Sequence, residues 1–209
     1  MLVKPMRVAE EPVQEAGRAI KSPLLFDLFG NFSEERYFQL LDIQPVSGQF
    51  IEHFSSLHCK LYLPGCSESL LSLNMDDLDT DTKLNRALVK NLGLKKQSKA
   101  SLSLILLWDL PNYLDANLLH TLIQYLLPHC TDDVKLHAYI HTRGQMPAEP
   151  GVYQLQSDGK IAITLKDQQT SSSPMYYQET LQKTLSPFLV QRSILLSGGM
   201  QEYLLQRRK

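Results

Sequence analysis

The sequence predicts an α/β fold: a doubly wound, mostly parallel sheet that closes on an antiparallel C-terminal hairpin. Three observations predict it. Short apolar runs punctuated by Pro and Gly alternate with segments of helical period, the pattern of βαβ crossovers. One run, Leu104 to Trp108, is apolar without interruption, as a strand covered on both faces must be. The chain then closes on two extended runs, Phe188 to Leu196 and Gln201 to Leu205, joined through Ser197-Gly198-Gly199, a hairpin pattern.

The elements run in order along the chain. Residues 1–22 are charged and carry Pro5 and Pro12, which predicts a flexible arm with a short helix around Val13 to Ile20. The remainder, 23–209, has no linker or repeat and reads as one domain. Leu24, Leu25, Phe26 and Leu28 are apolar enough to dock on it. Arg36 to Ile43 is the first strand, and Pro45 and Gly48 end it. Ser47 can cap a helix with Phe50, Ile51 and Phe54 on one face. His58 to Leu63 is a short strand and Ser67 to Leu73 a helix. Asn74 to Thr82 is acidic and loop-like. Leu84, Ala87, Leu88 and Leu92 keep a helical period up to Gly93. Lys95 to Lys99 is polar and exposed, and Ser101 to Trp108 is the central strand. Tyr113 to Leu127 is an amphipathic helix with Asp115 near its start, and Val134 to Ile140 is a strand. A loop spans His141 to Gly151. Asp158-Gly159 joins Val152–Leu155 to Lys160–Leu165 as a tight hairpin. Asp167 to Pro174 is polar, and Tyr176 to Leu185 is the last helix.

Composition sets outer limits. Of 209 residues, 43% are hydrophobic, enough for a substantial core, and the formal net charge is −1. That balance lacks the basic excess of a nucleic-acid footprint. The three cysteines, Cys59, Cys66 and Cys130, form no disulfide framework and suit a reducing compartment. No metal-ligand spacing occurs; His129 and Cys130 are adjacent, and adjacent side chains diverge. Neither a signal peptide nor a membrane span is read, so the expected location is cytoplasmic.

Two segments are placed to carry chemistry. In open α/β sheets, ligands bind beyond the carboxyl ends of the strands at the point where strand order reverses. Leu41-Asp42-Ile43-Gln44-Pro45-Val46-Ser47-Gly48 is a strand, turn and helix start of the right kind. Leu104-Ile105-Leu106-Leu107-Trp108-Asp109-Leu110-Pro111-Asn112-Tyr113-Leu114 is a second. His137 lies within its strand and reads as a core histidine, whereas His141 and Arg143 stand at that strand's carboxyl end, as substrate contacts or as plain surface.

The hydrophobic-Asp-hydrophobic run around Asp42 and the distal Gly48 resemble the first motif of class I S-adenosylmethionine-dependent methyltransferases. The segment around Trp108 resembles that family's fourth strand and following loop, and the C-terminal hairpin resembles its antiparallel last strand. The resemblance covers roughly Leu24 to Arg208 and implies a Rossmann-like methyltransferase fold. It further implies S-adenosylmethionine as cofactor, without metal, held by Asp42, Gln44, Ser47, Gly48 and Trp108. Asp109 and Asn112 would face the substrate as the catalytic pair, with Trp108 or Tyr113 as an apolar wall. The sequence departs from the family in two places. Gln44 and Val46 stand where the loop usually has glycine, and Leu63-Pro64-Gly65 stands where a ribose-binding acid is usual, with Glu68 the nearest acid.

Three functions are compatible with this pattern. One is a working methyltransferase on a small molecule or a protein. Another is a degenerate relative acting as a non-catalytic interaction module, with the N-terminal arm or the Val152–Leu165 hairpin as its contact surface. The third is a doubly wound domain that binds another small molecule in the same crevice. On the bland alternative for single residues, Trp108 is core and Asp109 caps the next helix.

Overall fold

A computed structural model describes residues 18–32, 37–73, 81–94, 101–156, 158–174, 176 and 178–208. The central sheet has six strands: β2 (Phe38–Asp42), β3 (Cys59–Tyr62), β4 (Leu102–Trp108), β5 (Cys130–His141), β10 (Phe188–Leu195) and β11 (Met200–Arg207). Their spatial order is β10-β11-β5-β4-β2-β3. β3, β2, β4 and β5 are parallel neighbours, and β11 lies antiparallel to both β5 and β10. From β2 the chain steps outward to β3 and returns on β2's other side as β4, so strand order reverses between β2 and β4. The expected doubly wound sheet with its antiparallel C-terminal hairpin is therefore present.

Two-residue alternation sorts each central strand between two cores. Leu41, Ile105, Leu107, Leu136 and Ala138 point to one face. There they meet α3 (Ser67–Leu71), α4 (Asp81–Leu92), α5 (Ala116–Leu126) and α6 (Gln178–Thr184). Leu40, Leu104, Leu106, Tyr139 and Leu204 point to the other face. There they meet α1 (Pro23–Gly30) and α2 (Gly48–Phe54), together with a small second sheet. That sheet is β1 (Arg18–Lys21), β8 (Lys160–Thr164) and β7 (Val152–Leu155), antiparallel in the order β1-β8-β7. Its inner face, Ile20, Tyr153, Leu155, Ile161 and Ile163, is buried.

Several local expectations need correction. Arg18–Lys21 belongs to a strand, because Ile20 pairs with Ile161 over the core; residues 1–17 of the expected arm lie outside the described residues. Ile51 does not share the face of Phe50 and Phe54; it is 45% exposed. The helix expected from Tyr113 starts at Ala116, where Asp115 Oδ1 accepts from Asn117 N at 2.8 Å, and a 3₁₀ turn over Leu110–Asn112 precedes it. The loops 141–151 and 167–174 pair as β6 (Gln145–Pro147) and β9 (Thr170–Ser172). Of the loop expected over Asn74 to Thr82, residues 74–80 lie outside the described residues and Asp81 and Thr82 open α4; the polar stretch 95–99 also lies outside them.

A buried carboxylate ties the small sheet and α1 to the large sheet. Glu202, in the middle of β11, is fully buried. Its Oε1 accepts from Ser22 Oγ at 2.5 Å, from Leu25 N at 3.0 Å and from His137 Nε2 at 2.9 Å, and its Oε2 accepts from Leu24 N at 3.2 Å. Tyr139 Oη completes the cluster by donating to Ser22 Oγ at 2.6 Å. The carboxylate thus satisfies the first free N–H groups of α1, where negative charge is favoured. Burial pushes the Glu202 carboxyl up, but the bond and charge of His137, with the donors Ser22 and Leu24 N, outweigh it and hold the group below the ordinary value. Glu202→Ala leaves His137, Ser22 and two helix amides without their acceptor. It is expected to cost about 3 kcal/mol or more in urea unfolding, whereas Glu202→Gln, which keeps an acceptor, costs less.

Candidate functional site

At the reversal point, the strand ends bring Asp42, Gln44, Trp108 and Asp109 together. Trp108 ends β4. The register of β4 against β5 slips between Leu106 and Trp108, and Trp108 takes φ 51°. It is the one non-glycine residue at positive φ among the described residues, a conformation that costs on the order of 1–3 kcal/mol in a bulky residue. The bulge turns the indole across β2, where Nε1 donates to Asp42 Oδ1 at 2.7 Å. The same oxygen accepts from Gln44 N at 3.1 Å.

Gln44 turns its amide toward β7. Its Nε2 donates to Tyr153 O at 2.7 Å, and its Oε1 accepts from Tyr153 N at 2.9 Å. The side-chain amide thus pairs with β7 as a neighbouring strand's peptide would. Held this way, the Tyr153 ring stacks on Trp108 with centroids 5.0 Å apart and planes 14° apart, and on Tyr139 at 5.2 Å and 23°. Asp109 Oδ2 accepts from Gly151 N at 3.1 Å, one residue before β7. A methyl group on Gly151 would lie 2.7 Å from Ile163 Cγ2, so glycine is what lets the hairpin close down here. Asn112 Nδ2 donates to Asp109 O at 2.7 Å and to Tyr139 O at 2.9 Å, and its Oδ1 accepts from His141 N at 2.8 Å.

Asp42, Gln44, Trp108, Asp109 and Asn112 are therefore brought together, but each is committed to the chain itself and is at most 5% exposed. The structure places Asp109 and Asn112 under the hairpin instead of in an open cleft. Asp109 is no helix cap: its side chain makes no capping bond. Ser47 caps α2, accepting from Phe50 N at 3.2 Å. Gly48 has ordinary φ and open space around a would-be Cβ, so neither backbone nor packing requires glycine there. Glu68, the nearest acid beyond β3, pairs with Lys166 at 2.6 Å. His137 is the core histidine expected, bound to Glu202. Sequence reasoning missed Tyr153, Gly151 and Glu202. The alternation of Val152–Leu155 gave Tyr153 a buried face but no partner. A lone glutamate in the apolar run Met200–Leu205, beside a strand containing His137, was the available signal for Glu202.

Burial raises Asp42 from its ordinary 3.8 to about 7, partly opposed by Trp108 and Gln44. Burial likewise raises Asp109 from 3.8 to about 7, opposed by Gly151 N and then Tyr153. Nothing cationic is bonded to either carboxyl among the described residues to offset that burial.

No sequence-family profile matches the chain, and no curated protein sequence matches it. Solved structures resemble it in fold. One is an S-adenosylmethionine-dependent methyltransferase from Clostridium acetobutylicum, with 14% identity, TM-score 0.49, and 90% of this chain and 89% of that one covered. Another, from Mesorhizobium loti, gives 11% identity, TM-score 0.49, and coverage of 88% and 96%. A third is the Burkholderia thailandensis 1,6-didemethyltoxoflavin-N1-methyltransferase, with bound 1,6-didemethyltoxoflavin and S-adenosylhomocysteine, at 11% identity, TM-score 0.47, and coverage of 90% and 76%. The chain's own topology is a doubly wound, mostly parallel sheet that reverses between β2 and β4 and ends on an antiparallel strand. No helix among the described residues is long and apolar enough to cross a membrane.

Two measurements check the site. A carboxyl whose folded pKa lies above its unfolded value stabilises fully below about pH 4 and loses that contribution as pH rises through about 7. Asp42→Asn keeps the Oδ1 acceptor and removes one of these titrations. The stability difference between pH 4.5 and 7.5, from urea unfolding, is expected to shift by roughly 2 kcal/mol in favour of the higher pH relative to wild type. Gly48→Ala is expected to leave the melting temperature unchanged or to raise it, since alanine suits a first-turn helix position with free space.

Proposed function

We propose that this chain is a degenerate relative of the class I methyltransferases, in which the β7–β8 hairpin takes the place of the cofactor and the domain works as a non-catalytic interaction module. The observation that carries this reading is the double hydrogen bond between the Gln44 amide and the Tyr153 backbone, which seats Tyr153 on Trp108 over the carboxyl ends of β2 and β4. In an open α/β sheet that place belongs to the ligand.

S-adenosylmethionine does not fit the residues as arranged. The turn that would cradle its methionine end gives the Gln44 amide to β7, Asp42 is spent on Trp108, and the nearest acid for a ribose is paired with Lys166. Asp109 and Asn112, the expected catalytic pair, hold Gly151, Tyr139 and His141. For catalysis the hairpin would have to leave, breaking both Gln44 bonds and the Asp109–Gly151 bond and uncovering Tyr153, Leu155, Ile161 and Ile163. In the proposed module the buried hairpin face is structural, and partner contacts fall to its outer face or to the N-terminal arm.

Calorimetric titration of the full chain with S-adenosylmethionine and with S-adenosylhomocysteine tests the proposal. No heat and no thermal shift are expected at millimolar ligand. Saturable binding of either compound, lost in an Asp42→Ala variant, would overturn it in favour of a working enzyme.

A further inference from the structure

The carboxyl edge of the main sheet carries a second constellation, on β5 and β11 beside the closed crevice. His141 ends β5, Arg143 lies two residues beyond it, and the turn Ser197–Gly199 enters β11 beside them, with Met200 paired to His141. Arg18 opens β1 and reaches the same turn. Its Nη2 donates to Ser197 O at 2.8 Å and to Ser197 Oγ at 3.1 Å.

Two arginine side chains lie against consecutive residues of this turn. A methyl group on Gly198 would be 2.6 Å from Arg18 Nη2 and 2.8 Å from Nη1, and one on Gly199 would be 3.4 Å from Arg143 Cγ and 3.9 Å from Nε. Both glycines have left-handed φ, 80° and 77°. The left-handed backbone is what calls for glycine at both positions, and the turn so formed lies against both arginine side chains. Among the described residues, neither guanidinium is paired with a carboxylate. Arg18 keeps Nη1 and Nε unspent, and Arg143 keeps its whole fork. Beside them, His141 is 8% exposed, and its Nδ1 has no partner among the described residues. Burial, and then the charge of Arg18, hold the imidazole below its ordinary value, so it adds no third positive charge at neutral pH.

We propose that Arg18, Arg143 and the Gly198–Gly199 turn, with His141 beside them, form a binding site for a phosphate-monoester group. The two arginines flank consecutive residues of one turn, and neither is neutralised by a carboxylate among the described residues, so an anion bound at the turn would offset the charge of both. Their planar forks match the oxygens of a phosphate in a way that lysine's ammonium does not. A dianionic phosphate also matches the double positive charge. Gly198 is exposed and carries no side chain that would block an anion's approach to the turn. Because Arg18 is on β1, which pairs with β8, the site rests on the seated hairpin of the proposed function, but its test reads phosphate and not S-adenosylmethionine, so the two readings fail separately.

Inorganic phosphate titrated into the full chain, with sodium chloride adjusted to hold ionic strength constant, tests it by amide NMR. Saturable shifts are expected at Gly198, Gly199 and Thr142. Arg143→Gln and Arg18→Lys should each weaken binding by about tenfold or more, since the first removes a charge and the second keeps the charge but loses the planar fork. Arg143 is exposed and makes no hydrogen bond within the described fold, so its variant reports on binding even if the Arg18 variant loosens β1. The proposal fails if no saturable shift appears up to roughly 20 mM phosphate. It also fails if chloride alone gives the same shifts, or if Arg143→Gln binds phosphate as wild type does.

Discussion

The hydrogen bond from the Trp108 indole to Asp42 sets the arrangement of everything above the sheet. An indole N–H buried at the end of β4 requires an acceptor, and the one available, Asp42 Oδ1, sits at the end of the adjacent strand. Reaching it fixes Trp108 in a left-handed backbone and lays the ring flat across the strand ends. A flat aromatic surface there is a platform. Tyr153 stacks on it, Tyr139 stacks on Tyr153, and the hairpin that carries Tyr153 is drawn over the sheet. The strain in one residue is offset by the contacts of a whole hairpin, which is how an unfavourable backbone persists.

The second polar anchor works through a different logic. Glu202 brings charge into the interior, and interior charge is tolerated only where every lone pair is used. Here an imidazole, a serine hydroxyl and two helix amides use them. The result fixes α1 and, through Ser22, the end of β1. Because β1 pairs with β8, the Glu202 cluster also braces the sheet that Trp108 and Gln44 hold from its other side. The two anchors grip opposite edges of one three-stranded sheet.

The layered fold was legible because period-two burial is written into β2 and β4, where consecutive leucines divide between two cores. The turn at Gln44 to Gly48 was legible as a reversal point because Pro45 and Gly48 punctuate it and Ser47 caps α2. The occupant of the crevice was not legible. Gln44 and Tyr153 are 109 residues apart, and no local pattern in either segment announces a side-chain amide bonding to a distant backbone. Asp109 and Asn112 illustrate the same limit. Their residue types and positions suit catalysis, yet a carboxylate and an amide suit equally well the job of satisfying Gly151 N, Tyr139 O and His141 N. β1 escaped notice because a four-residue strand with one buried side chain has too little periodicity to read.

The pairing of Gln44 with Tyr153 has one more consequence. β7 is an outer strand of the small sheet, and outer strands present free N–H and C=O groups on which other chains can add. At Tyr153 both groups are already taken by a side chain that cannot propagate a ladder. At its centre that edge is closed to β-addition by a glutamine anchored in a different layer of the protein.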